Sequence, residues 1–281
     1  MKQTKTIQDR FLEFCYTNEI TRILLKPFVC KGFSEFMGKL LDSKCSTVII
    51  PIYQRLLKVD MSDVREQEYR SFNDFFTRRL KDDARPFVNE NEYFPSPCDG
   101  LVTVVPIKED SRFKIKHTSY SCEELFKCKK LAKEYEGGMA IILRLTVSDY
   151  HRYCYSVSGK KSINRRIEGI YHTVNSIAND YVPIYKTNTR EYTRIVSPIY
   201  GSVIQMEVGA LCVGRIVNYE EKANVTSGTE KGKFEFGGST VVVFVQNDKV
   251  EIREDLLLAS EKGIETYIKM GQALGKPVGE R

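Results

Sequence analysis

Near the C-terminus, Lys231-Gly232-Lys233-Phe234-Glu235-Phe236-Gly237-Gly238-Ser239-Thr240 runs directly into Val241-Val242-Val243-Phe244-Val245, so two glycines meet a Ser/Thr pair at the start of an apolar strand. Glycine tolerates backbone dihedrals closed to other residues and leaves the Gly238 carbonyl open to approach by the Ser239 hydroxyl. Such a junction permits an N-to-O acyl shift. The resulting ester can eliminate to a dehydroalanine, which hydrolyses to a pyruvoyl cap on residue 239. Taken alone, Gly-Gly-Ser-Thr is far more simply an ordinary tight turn, and even a phosphate-cradling loop is a weak guess. Other residues must decide.

Three histidines, His117, His151 and His172, are the natural proton acceptors near neutral pH. Eight cysteines form no CxxC pair and there is no paired His spacing, so neither a metal site nor a disulfide framework is expected, and the thiols read as reduced in a cytoplasmic protein. A hydrolase built on Cys154 with a His and an Asp lacks any accompanying oxyanion-site signature. An internal repeat singles out one carboxylate. Ser96-Pro97-Cys98-Asp99-Gly100-Leu101-Val102 and Ser197-Pro198-Ile199-Tyr200-Gly201-Ser202-Val203 share the pattern SPxxGxV. The proline and glycine suit a turn into a strand, which makes most of the repeat architectural. Tyr200 stands where the first copy has Asp99, so the turn itself does not require an acid.

The elements that must position these groups fall into two kinds. From Ile7 to Leu57 apolar residues recur at helical spacing, clearest in Phe33, Phe36, Met37, Leu40 and Leu41, and Phe72, Phe75, Phe76 and Leu80 mark a further helix. After Pro86, Pro95 and Pro97 the pattern changes to short strands over Leu101 to Pro106, Met139 to Val147, Tyr200 to Val208, Leu211 to Asn218 and Thr240 to Gln246. The fold class expected is α+β: N-terminal amphipathic helices on a mostly antiparallel β-sheet core with two related SPxxGxV units. The division expected is a helical, membrane-associating segment over 1–86 and a β-rich catalytic domain over 87–281.

The formal net charge is +6, and residues 1–58 hold ten Lys or Arg against five Asp or Glu. An anionic surface is the implied partner. No helix-turn-helix, RNP or zinc-finger signature supports nucleic acid, whereas each basic residue near an anionic lipid surface contributes about 1 kcal/mol. No signal peptide is visible, and the longest apolar runs fall far short of the roughly 20 residues that span a bilayer. The helices could lie in a membrane interface or dock on their own protein.

Laid side by side, several blocks resemble the phosphatidylserine decarboxylase family, in order, from Ser71 to Val245. Ser71-Phe72-Asn73-Asp74-Phe75-Phe76-Thr77-Arg78-Arg79-Leu80 with Arg85-Pro86 is similar to its SFNEFFxRxL and RP segment. Ser96 to Gly100 resembles its SPxDG motif, Asp149-Tyr150-His151-Arg152 its DYHR, Gly169 to Asn175 its GxLxxVN, and Val208 to Gly214 its VGAxxVG. Gly237-Gly238-Ser239-Thr240 takes the place of the LGST cleavage site, with Gly237 where leucine is common.

The resemblance implies a pyruvoyl enzyme that cuts itself between Gly238 and Ser239 into chains 1–238 and 239–281. The pyruvoyl made from Ser239 would then form a Schiff base with phosphatidylserine and act as electron sink while carbon dioxide leaves, giving phosphatidylethanolamine. It also implies roles. Asp99 would orient and charge-stabilise an imidazole that takes the Ser239 proton, and His151 would transfer protons in decarboxylation. Many members carry a second histidine three positions after the first, and it usually serves cleavage; here that position is Cys154. Two assignments stay open: His172 supplies the missing imidazole, or His151 serves both steps. The same resemblance implies a homodimer, with the cleaved small chain retained, while the missing signal peptide, the short apolar runs and the basic N-terminal charge lead us to expect peripheral attachment at the cytoplasmic face of a membrane. The alternative from another class is a non-catalytic β-sandwich module binding lipid or an acidic partner.

Overall fold

A computed structural model describes residues 7–115, 117–174, 178–210, 215–236 and 239–279. The expectations placed on Gly237, Gly238, Asn175 and 211–214 lie outside the described residues. Five short α-helices open the chain: α1 (Ile7–Thr17), α2 (Glu19–Leu25), α3 (Lys31–Leu41), α4 (Ile50–Leu57) and α5 (Phe72–Phe76). The apolar stripe of α3 divides. Leu41 is buried and Met37 partly so, both in a cluster with Phe72, Phe75 and Phe76 of α5, whereas Phe36 and Leu40 are exposed. That cluster also takes in Phe236, just ahead of the Gly-Gly-Ser junction, so the helical segment and the β-rich part share a core across the expected boundary at 86.

Helix α5 begins at a Ser71 cap that accepts from the Asp74 N–H. It ends at Phe76, short of Leu80. The Thr77 carbonyl accepts from Arg152 Nε at 2.8 Å, and Leu80 instead bridges to Val64 in extended conformation. A tertiary partner for the backbone thus stops a helix that spacing alone would continue.

The core is a nine-stranded sheet in which every pairing is antiparallel. At its centre the strand Ser239–Val245 lies between Gly201–Gly209 and Met139–Leu145, and the latter pairs on its far side with Gly100–Pro106. Both glycines that end the SPxxG turns open strands of this sheet, and Gly201 has a φ of 66°. Val241, Val243 and Val245 face one cluster with Tyr153, Ile216 and Phe234 of a second, three-stranded sheet. Val242 and Phe244 face another cluster with Tyr120, Phe126 and Tyr135. Layers on both faces explain why residues 241–245 read as an unbroken apolar run rather than an alternation.

Candidate active site

Ser239 is the first residue of the central strand, fully buried, with Leu145 opposite on one side and Gly209 on the other. Its hydroxyl meets His151 Nδ1 at 3.0 Å, and His151 Nε2 lies 2.9 Å from the Thr146 carbonyl. A carbonyl oxygen only accepts, so Nε2 carries the ring proton and Nδ1 presents its lone pair to the Ser239 hydroxyl. This is the tautomer that can take a proton from serine. Burial first, and then the Arg78 charge, push His151 down to about 3, so the resting ring is neutral.

The turn from Thr146 to Asp149 is held at each of its four carbonyls. Thr146 accepts from His151, Val147 from the Tyr53 hydroxyl, and Ser148 and Asp149 from Arg78 Nη2 at 3.0 and 3.2 Å. The Asp149 carboxylate closes it from within, accepting from the Thr146 N–H at 2.6 Å and the Tyr267 hydroxyl at 3.2 Å. Phe76 stacks on the His151 ring with centroids 4.1 Å apart, closing the imidazole off from water. His151 is therefore constrained through both ring nitrogens and one ring face.

Asp99 lies elsewhere. It precedes Gly100, on the other side of the Met139–Leu145 strand from Ser239. Its carboxylate takes a two-pronged bond from Arg85, Nε to Oδ1 at 2.9 Å and Nη2 to Oδ2 at 2.7 Å, and the Met270 N–H at 2.7 Å. Among the described residues the expected bond from Asp99 to an imidazole is not formed, and both ring nitrogens of His151 are engaged by other groups. The physical reason is that Arg85 and the Met270 N–H fill the carboxylate, while residue 154 carries a thiol and no ring. The Cys154 N–H donates to Pro97 beside the Asp99 turn, and its thiol side chain packs with Met270 and Tyr150. Burial pushes that thiol up to about 12, which leaves it protonated and no proton acceptor at neutral pH.

His172 is not brought to Ser239 either. Its Nδ1 pairs with the Tyr16 hydroxyl of α1 at 3.2 Å, its ring meets the Tyr16 ring edge-on, and its N–H donates to Asn188. His117 is exposed. Among the described residues, His151 is the imidazole in hydrogen-bond contact with Ser239. Sequence reasoning missed Thr146, which acts through its main chain and carries no residue-type signal. It also missed Phe76, Arg78, Arg85 and Asp149, all of which stood inside the matched blocks without an assigned task.

A serine at the head of a buried strand, met by an imidazole whose free Nδ1 lone pair faces its hydroxyl, can pass its proton to that ring. The phosphatidylserine decarboxylase family model matches residues 72–276. A phosphatidylserine decarboxylase proenzyme 2 of Clostridium acetobutylicum is 40% identical over 266 residues, 94% of this chain and 91% of the relative. A phosphatidylserine decarboxylase proenzyme of Clostridium tetani is 37% identical over 273 residues, covering 95% and 92%. One of Clostridium botulinum is 36% identical over 277 residues, covering 96% and 94%. The chain belongs to the phosphatidylserine decarboxylase family.

Proposed function

We propose that this chain is a proenzyme that cuts itself between residues 238 and 239 and then decarboxylates phosphatidylserine to phosphatidylethanolamine. The observation that carries the reading is the 3.0 Å contact between His151 Nδ1 and the Ser239 hydroxyl, with the Thr146 carbonyl fixing the tautomer. Family membership supplies the reaction. In the cleavage step the Ser239 Oγ bonds to the Gly238 carbonyl carbon and its proton passes to His151 Nδ1. The Gly238–Ser239 amide bond breaks, and the freed nitrogen takes the proton from His151, which leaves the two pieces joined by an ester. Loss of the residue 239 Cα proton with departure of the Gly238 carboxylate then cuts the chain, and water displaces ammonia from the resulting dehydroalanine to leave the pyruvoyl group. A pKa of about 3 makes His151 a weak base, so the proton is held only transiently and is released readily to the leaving nitrogen.

The surroundings of Ser239 suit a pyruvoyl group formed there, because residue 239 is fully buried and its side chain faces an imidazole. Its carbonyl would supply the electron sink for loss of carbon dioxide. His151 remains beside that position to hold and deliver a proton, so one histidine serves both stages in our reading.

We also propose peripheral attachment to a membrane through the N-terminal helices. Ile20, Ile23 and Leu24 of α2, Phe36 and Leu40 of α3, and Ile52 and Leu56 of α4 are all exposed, more apolar surface than a solvated face requires. No helix among the described residues is long and apolar enough to cross a bilayer.

Intact-mass measurement tests the proposal. The wild-type chain should appear as 1–238 and a blocked 239–281, and Ser239→Ala as one uncut chain without decarboxylase activity. A cut Ser239→Ala chain would end it.

A further inference from the structure

The segment leading into the cleavage junction is gripped by a side chain from the helical part of the molecule. Asn73 of α5, almost wholly buried, accepts from the Phe236 N–H through Oδ1 at 2.9 Å and donates through Nδ2 to Asp42 Oδ1 at 2.8 Å. These partners fix the amide's orientation. A carboxylate only accepts and a main-chain N–H only donates, so a flipped Asn73 would lose both bonds. The residue is itself rigidly placed: its carbonyl accepts both the N–H and the hydroxyl of Thr77, at 3.0 and 2.9 Å, and α5 starts on the Ser71 cap.

Phe236 stands two residues before Gly238, whose carbonyl is the one attacked in the reading above. Its ring meets Phe72 and Phe76 edge-on, each with centroids 5.0 Å apart, and Phe76 in turn stacks on His151. One turn of helix therefore touches the base directly and the approach to the junction indirectly. Phe76 stacks on His151, and Asn73 holds the backbone N–H of Phe236.

We infer that Asn73 is a positioning residue for self-cleavage, with Asp42 holding its amide in the one orientation that can accept from Phe236. The inference rests on Gly238-Ser239 being the cut. An intramolecular attack is sensitive to small displacements of the carbonyl, and a misplacement of about 1 Å costs on the order of a hundredfold in rate. The Asn73 bond holds the backbone at Phe236, two residues ahead of the attacked carbonyl, even though Asn73 touches none of the reacting atoms.

The test exchanges the two partners. Newly synthesised full-length chain is followed as it converts to 1–238 and 239–281. Asn73→Asp places a carboxylate against Asp42, and cleavage should slow about tenfold or more. Adding Asp42→Asn to that variant restores one amide donor facing one carboxylate acceptor, with Phe236 still bonded, and most of the wild-type rate should return. A merely space-filling Asn73 would not be rescued by a change at 42. Wild-type cleavage in Asn73→Asp, or a double variant no faster than Asn73→Asp, overturns the inference. Ser239→Ala run in parallel separates the two claims. If it stays uncut, a failed exchange counts against Asn73 alone, and if it is cut, the cleavage reading falls and this inference with it.

Discussion

Two buried polar corners flank the end of the Met139–Leu145 strand, and they are held by opposite means. On one side Ser239, His151 and the Thr146 carbonyl form a neutral chain of hydrogen bonds. On the other, Asp99 and Arg85 form an ion pair, with side chains 2% and 10% exposed. The neutral corner can pass a proton, since its imidazole has a free lone pair aimed at a hydroxyl. The charged corner has no such arrangement, because its carboxylate is taken up by a guanidinium and a main-chain N–H. Residues 151 and 154, three apart on one extended segment, thus serve different corners. With a thiol at 154, the imidazole of this segment that meets Ser239 is His151.

Removing the charge partner is the harshest way to break this comparison. Arg85→Met leaves a buried carboxylate without its cation, and about 3–5 kcal/mol of stability should be lost. Urea unfolding in the Ser239→Ala background, where the chain stays whole, would read this. A loss under about 1 kcal/mol would mean that the Asp99 corner is solvated, contrary to its burial.

The neutral corner has its own signature in pH. His151 titrates near 6.5 when unfolded and at about 3 when folded. A depressed folded pKa means that the unfolded chain binds more protons between these values, so stability is complete above pH 6.5 and declines as pH falls toward 3. Between pH 7 and 5 the decline from this group is about 2 kcal/mol. In the Ser239→Ala background, adding His151→Gln should flatten that part of the profile. An unchanged slope would show that His151 is not the buried neutral group described.

The smallest effect on stability is expected at the outer face of α3. Phe36→Ser with Leu40→Ser should leave folding within about 0.5 kcal/mol, since both are exposed. Binding to anionic vesicles should nevertheless weaken. Equal binding by wild type and variant would move the lipid contact away from this helix.

The contrast between the corners also marks how far the sequence could be read. Four strands of the antiparallel core were legible from their apolar runs: expected starts at Leu101, Met139, Tyr200 and Thr240 fall within one residue of the observed ones, whereas Arg190–Ser197, with charged residues at 190, 191 and 194, was not legible as a strand. The approach of His151 to Ser239 was one of two assignments left open, and it depends on a turn whose decisive atom is the Thr146 carbonyl. No side-chain pattern encodes that. The partner of Asp99 was equally hidden. Arg85 stood in a matched block, but pairing across 14 residues of sequence is a property of the folded loop. His172 looked available because it is one of three histidines, and only the packing of α1 reveals Tyr16 against it.

Cleavage in the two histidine variants tests the central claim most directly. Intact mass of freshly made His151→Ala should give a single full-length chain, while His172→Ala gives 1–238 and 239–281 as the wild type does. A cut His151→Ala chain, or an uncut but folded His172→Ala chain, would contradict the assignment of His151 as the base that takes the Ser239 proton.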